Sequence, residues 1–252
     1  MNGRPFGSLP ALRTALLALT LLAGLAGPAQ AFRLVPIEME LAPSGREATQ
    51  TFRLENDAAE PVAIEITVMA REMGETGEDR LTEAADRFVV YPEQVVLQPN
   101  QSQSVRVQWV GEQAPPRELA FRLIAEQLPV DLGRAPPTGG QVRLLVRYVA
   151  SLYVTPPGAQ PQLAVTAAPR DTPEGRRLEV VVANRGATRQ ILRDPTLTVT
   201  AGGKNTALSG EALAGLAGEN VLAGATRRFL LPWPSGLAAG GPLAAALTVA
   251  AR

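Results

Sequence analysis

Residues 142–154 read VRLLVRYVASLYV. As a β-strand this segment would run roughly 40 Å, about twice an ordinary strand. It contains neither proline nor an acidic residue, so as an exposed edge it would lack most of the features that stop sheets pairing edge to edge, although Arg143 and Arg147 interrupt it. Val142, Leu144, Val146 and Tyr148 share one strand parity and present a row of apolar knobs. Two readings fit. The segment is either the closing strand of its own sandwich, with the knobs in its own core, or an edge that a partner lacking a strand can use.

Outward from this segment, period-two alternation recurs and helical periodicity does not. Val35, Ile37, Met39 and Leu41 alternate ahead of Pro43-Ser44-Gly45, and Phe52 with Leu54 leads to Asn56-Asp57. Val62, Ile64, Ile66 and Val68 form a third run, followed by a charged stretch from Arg71 to Arg87 that reads as a loop or a solvated hairpin. Phe88–Tyr91, Val95–Leu97, the run Val105, Val107, Trp109 and the run Leu119, Phe121, Leu123, Ala125 complete the set. About seven short strands separated by turn signals predict an immunoglobulin-like sandwich. Thr155-Pro156-Pro157-Gly158 ends this half, because consecutive prolines cannot continue a ladder. Beyond it, Leu163 with Val165, then Leu178, Val180 and Val182, Leu197 with Val199, Phe229 with Leu231, and Leu243, Leu247 and Val249 predict a second, smaller sandwich. The expected fold is therefore all-β, with two immunoglobulin-like β-sandwich domains in tandem at 32–156 and 157–252.

Residues 1–31 read as a secretory signal. Arg4 and Arg13 precede an uncharged apolar run from Ala15 to Leu25 that is too short to span a bilayer, and Ala29-Gln30-Ala31 offers the small residues of a cleavage site. Cleavage is expected before Phe32. No later segment predicts membrane insertion.

The chain has no histidine and no cysteine, which removes the commonest general base and metal ligand as well as thiolate chemistry and disulfides. Lys plus Arg and Asp plus Glu both number 24, so no bulk charge favours nucleic acid. Carboxylates alone could still serve a glycosidase-like enzyme. However, Glu72, Glu75, Glu78 and Asp79 lack the ligand spacing of a calcium loop, and Gly202-Gly203-Lys204-Asn205-Thr206 departs from a phosphate loop and reads as a turn. The composition predicts no enzyme, no cofactor and no metal.

Four stretches taken together resemble the periplasmic pilus-assembly chaperones, the PapD-like proteins of the chaperone-usher pathway, and their archaic branch more than the best-known one. These are Gly45 followed by TFRLEND (51–57), FVVYPEQVVLQPNQSQSVRV (88–107), FRLIAEQLP (121–129) and RLLVRYVASLYVTP (143–156). The resemblance implies two immunoglobulin-like domains in an L or boomerang, a one-to-one complex with a pilus subunit in the periplasm, and delivery to an outer-membrane usher. It also implies that the last strand of the first domain completes the subunit's fold, with Val142, Leu144 and Val146 at the donor positions and Tyr148 continuing the row. In the best-known branch two basic residues hold the subunit's terminal carboxylate, but here those positions carry Glu40 and Ser151. The archaic pattern puts an arginine in the penultimate strand instead, which makes Arg122 the candidate anchor and Arg147 a second candidate. Against that role, Arg122 could simply pair with Glu126 or Glu118. The alternative function is an exported adhesin or pilus subunit, which would itself lack a strand.

Three buried aliphatic knobs would contribute about 5–9 kcal/mol before ordering costs, against about 1.5–3 kcal/mol for an arginine–carboxylate hydrogen bond. The strand should therefore dominate affinity, while the anchor sets register.

Overall fold

The computed structural model describes residues 32–130, 132, 144–238 and 241–250. The expected signal, its cleavage site and Val142 lie outside the described residues. The fold is all-β, with two sandwiches and two separate buried cores.

Among the described residues the first sandwich holds ten strands: β1 (Phe32–Val35), β2 (Glu38–Leu41), β3 (Thr49–Asn56), β4 (Val62–Met73), β5 (Asp79–Glu83), β6 (Phe88–Tyr91), β7 (Gln94–Leu97), β8 (Ser102–Trp109), β9 (Leu119–Gln127) and β10 (Arg147–Val154). One sheet runs β1-β3-β8-β6, and the other runs β2-β10-β9-β4-β5 with β7 also paired to β4. Alternation decides the packing. Phe52 and Leu54, Ile64, Ile66 and Val68, Val105 and Val107, Phe121, Leu123 and Ala125, and Ala150, Leu152 and Val154 all point inward and are buried. Phe88, Trp109 and Phe121 meet edge-on or tilted, with ring centroids 4.8–5.5 Å apart.

Two expectations need correction. The run Val35, Ile37, Met39, Leu41 is two strands, not one. Pro36 cannot donate to a ladder, and there the chain passes from the sheet of β3 to the sheet of β10. The buried parity shifts across it, from Phe32 and Leu34 to Met39 and Leu41, and leaves Val35 and Ile37 exposed. The second correction concerns the long terminal strand. Among its described residues the strand begins at Arg147 and runs to Val154, because β9 ends at Gln127 and the last rung seen is Gln127 N–H donating to Val146 O. The stretch Arg71–Arg87, read as either a loop or a hairpin, contains the β4–β5 hairpin.

The second sandwich is built from β11 (Leu163–Thr172), β12 (Gly175–Asn184), β13 (Gln190–Ile191), β14 (Thr196–Ala201), β15 (Lys204–Leu208), β16 (Asn220–Val221), β17 (Thr226–Pro232) and β18 (Leu243–Thr248). Its sheets run β11-β12-β17 and β15-β14-β18, with the short pair β13-β16 beside them. The Gly202-Gly203 sequence is the β14–β15 turn, with φ of 56° and 79°, a region that favours glycine.

Both sandwiches use the same buried asparagine device. Asn56 Nδ2 donates to the carbonyls of Glu60, Leu97 and Gln98 while its Oδ1 accepts from Ala58 N–H. Asn184 Nδ2 donates to Thr188 and Val221 carbonyls while its Oδ1 accepts from Gly186 N–H. Each ties the end of a strand to the loops around it, so that carbonyls that no ladder reaches are still paired.

Candidate functional site: an open strand edge and a basic cleft

β10 has an unequal environment along its length. Its residues Ser151–Val154 pair in parallel with Glu38–Leu41 of β2, while all of β10 pairs antiparallel with β9. From Arg147 to Ala150 the β2 side is open among the described residues. The register shows which backbone groups are affected. Gln127 N–H donates to Val146 O, so the even-numbered residues of β10 face β9. Ser151 N–H donates to Ile37 O and Thr155 N–H to Leu41 O, so the odd-numbered ones face the other way. The N–H and C=O groups of Arg147 and Val149 therefore point to the open edge.

The apolar knobs lie beside this edge. Leu144 is 79% exposed. Val146 and Tyr148 are half-buried against the core of their own sandwich, and the Tyr148 ring meets Phe32 edge-on at 5.1 Å. Leu144 is thus exposed to solvent, Tyr148 contributes to the chain's own core, and Val146 sits between.

The outer face of the same sheet carries the charged residues. By register Glu38, Ser151, Arg122, Met69 and Glu83 form one row across β2, β10, β9, β4 and β5, with Glu40 beside Tyr153 in the next. Arg122 points away from the buried face, as its parity predicts. Its partner is neither Glu126 nor Glu118. Arg122 Nε and Nη2 lie 2.8 and 2.7 Å from Asp79 Oδ2, and Arg122 Nη1 donates to Ser151 Oγ. Asp79 Oδ1 accepts from Arg71 Nε at 2.6 Å, and Arg71 Nη1 approaches Tyr153 Oη at 3.5 Å. Arg147 stands apart, exposed and 3.6 Å from Glu126, four residues along β10 from Ser151 and hence about 13 Å from this cluster.

Glu118 pairs with the second sandwich. Its carboxylate accepts from Arg189 Nη1 at 2.5 Å, from Arg189 N–H, and from the hydroxyls of Thr155 and Thr188. Arg189 also reaches Glu38 and Glu40 at 3.1 and 3.3 Å and stacks over the Tyr153 ring, 3.6 Å from its centroid. Burial pulls the Arg189 pKa down, but Glu118, Tyr153 and Glu38 outweigh it, and the net shift is upward. The acid at position 40 is thus answered by a cation from the second sandwich. Arg71, Glu118 and Arg117 help to line a cleft of about 430 Å³ whose other wall is Leu222–Ala225.

Arg71, Asp79, Tyr153 and Arg189 were not singled out as site residues in the sequence. Arg71 occupies the outward parity of an alternating strand, which is visible. The pairing of Asp79 with Arg122 and that of Arg189 with Glu118, across 43 and 71 residues, are not.

The first of the two all-β sandwiches ends in a strand whose edge is partly open among the described residues, next to a cleft lined in part by arginines. Residues 36–160 match the family described as pili and flagellar-assembly chaperone, PapD N-terminal domain. The chain belongs to this family of PapD-like pilus-assembly chaperones. No match was found among curated protein sequences. Similar solved structures include the class 5 fimbriae chaperone CfaA, with a TM-score of 0.58 and 16% identity over 88% of this chain and 100% of that one. A chaperone–tip adhesin complex of CFA/I fimbriae matches at 0.55 and 17% over 78% and 87%. The CsuC–CsuE chaperone–tip subunit pre-assembly complex of the archaic Csu pili of Acinetobacter baumannii matches at 0.53 and 16% over 82% and 89%.

Proposed function

We propose that this protein is a periplasmic chaperone that captures pilus subunits one-to-one, completes their fold with the edge of β10, and delivers them to an outer-membrane usher. The observation that carries this reading is the open edge at Arg147 and Val149 next to the exposed Leu144. A subunit strand placed there gains main-chain hydrogen bonds, and its groove gains the apolar knobs. Leu144, Val146 and Tyr148 are the described donor residues, and Val142 extends the row by parity. The location of an arginine on β9, with Glu40 and Ser151 at the positions basic in better-known relatives, supports a place in the archaic branch. Export with cleavage before Phe32 would leave β1 whole, since Phe32 is its first residue and is buried. The domain boundary is placed at Pro156–Pro157, between β10 and β11.

Co-expression with candidate pilus subunits in a bacterial periplasm tests the reading. A chaperone yields a soluble one-to-one complex, whereas an adhesin or pilus subunit polymerises by itself. Recovery of a self-polymer would favour that alternative.

A further inference from the structure

Arg71 and Arg122 reach the outer face from neighbouring strands, and one carboxylate bridges them. Asp79 gives Oδ1 to Arg71 and Oδ2 to Arg122 at 2.6–2.8 Å. The side chains of Arg71, Arg122 and Asp79 are 7%, 18% and 24% exposed, so the cluster is shielded without being sealed. Two guanidiniums against one carboxylate leave one positive charge in excess. Among the described residues, the other side-chain hydrogen bonds of Arg122 and Arg71 go to the hydroxyls of Ser151 and Tyr153. Two further acids of this face, Glu38 and Glu40, are engaged by Arg189. The paired forks thus have the geometry that recognises carboxylates.

Asp79 is held there by its hairpin. At the hairpin's tip, Arg228 N–H donates to Glu75 O at 2.7 Å, the Arg228 guanidinium grips Glu75 Oε2 at 2.7 Å, and Arg227 Nη2 donates to Thr76 O at 3.4 Å. Gly77 is packed so closely that a Cβ there would meet the Arg227 guanidinium at 2.5 Å. The second sandwich therefore fixes the loop that delivers Asp79, giving this carboxylate a high effective concentration at the two arginines.

We propose that Arg71 and Arg122 together form a carboxylate-binding site, that Asp79 occupies it as an internal surrogate in the free protein, and that the chain-terminal carboxylate of a bound partner takes its place. This rests on the subunit-binding reading and adds two elements to it: Arg71 as a second ligand, and a competitor built into the fold. Free carboxylates meet a filled site. A subunit already paired along β10 presents its terminus at an effective concentration able to compete with Asp79, so the anchor closes only on a partner whose strand pairing is in place.

Acetate titration of the full chain, followed at the Nε–Hε resonances of Arg71 and Arg122, tests the exchange. In the wild type the resonances should respond weakly. In Asp79→Asn they should titrate saturably, with affinity about tenfold higher or more. Glu75→Ala, which removes the Arg228 guanidinium's grip and so loosens the hairpin tip but keeps both arginines and Asp79, should also tighten acetate binding, and it decides the matter if Asp79→Asn does not fold. Equal acetate affinity in the wild type and the variants, or no response in any of them, would overturn the proposal. Subunit co-purification is scored separately. Capture by the wild type without acetate exchange removes Asp79's role and leaves strand lending intact, while absence of capture counts against strand lending itself.

Discussion

Glu118 and Arg189 lie 71 residues apart in sequence and form a salt bridge of 2.5 Å that is almost wholly buried, with side chains 1% and 2% exposed. Glu118 N–H also donates to Ala187 O at 2.8 Å. The bridge joins the entry to β9 in the first sandwich to the loop before β13 in the second, and it is the most deeply buried charged contact between them among the described residues. Because Thr155, Thr188 and the Arg189 amide satisfy the same carboxylate, the pair is compensated. Either charge alone would not be.

Arg189→Ala is therefore expected to cost about 3–5 kcal/mol, since it leaves Glu118 buried without its cation and Glu38 and Glu40 facing each other. Urea denaturation monitored at Trp109 and Trp233, one in each sandwich, measures it. Two separated transitions in the variant would show that the bridge couples the sandwiches, and an unchanged midpoint would remove it as a structural element.

Asn56→Ala should destabilise the first sandwich by about 2 kcal/mol or more, because three buried or half-buried carbonyls lose their donor at once. Asn184→Ala should act similarly on the second sandwich. Denaturant midpoints of the two variants give the comparison, and shifts under roughly 0.5 kcal/mol, the range of neutral surface changes, would contradict it.

The strand content of the first sandwich was readable because its alternation is clean and β-branched. Two features were not, and the causes are local. Pro36 divides an alternating run between two sheets, a change of partner that parity alone does not reveal. The end of β10 is set by where β9 stops, which is a property of the neighbour. The same holds for the site: Arg122 was singled out by the family resemblance and its outward direction by parity, but its partner Asp79 sits 43 residues away in a stretch whose composition resembles any solvated hairpin.

Leu144→Asp should leave stability unchanged, within roughly 0.5 kcal/mol, because the side chain is already exposed to solvent. It should abolish subunit capture by placing a charge in an apolar groove. Thermal unfolding and co-purification read the two effects, and wild-type recovery of subunit would exclude Leu144 as a donor residue.

Arg122→Glu should lower capture by about ten- to a hundredfold, the equivalent of one charge-assisted hydrogen bond of roughly 1.5–3 kcal/mol. Arg147→Glu, which changes an exposed residue away from the cluster, should have a smaller effect. Equal losses would move the anchor along β10, and no loss from either would remove it from both.

The claim that β10 lends its edge is tested most directly by amide hydrogen exchange, resolved by residue, in the free protein and in its complex with a pilus subunit. Tyr148 and Ala150 face β9 and should be protected in both states. Arg147 and Val149 face the open edge, so they should exchange rapidly when free and become strongly protected in the complex. Unchanged exchange at Arg147 and Val149 on forming that complex would contradict strand lending at this edge.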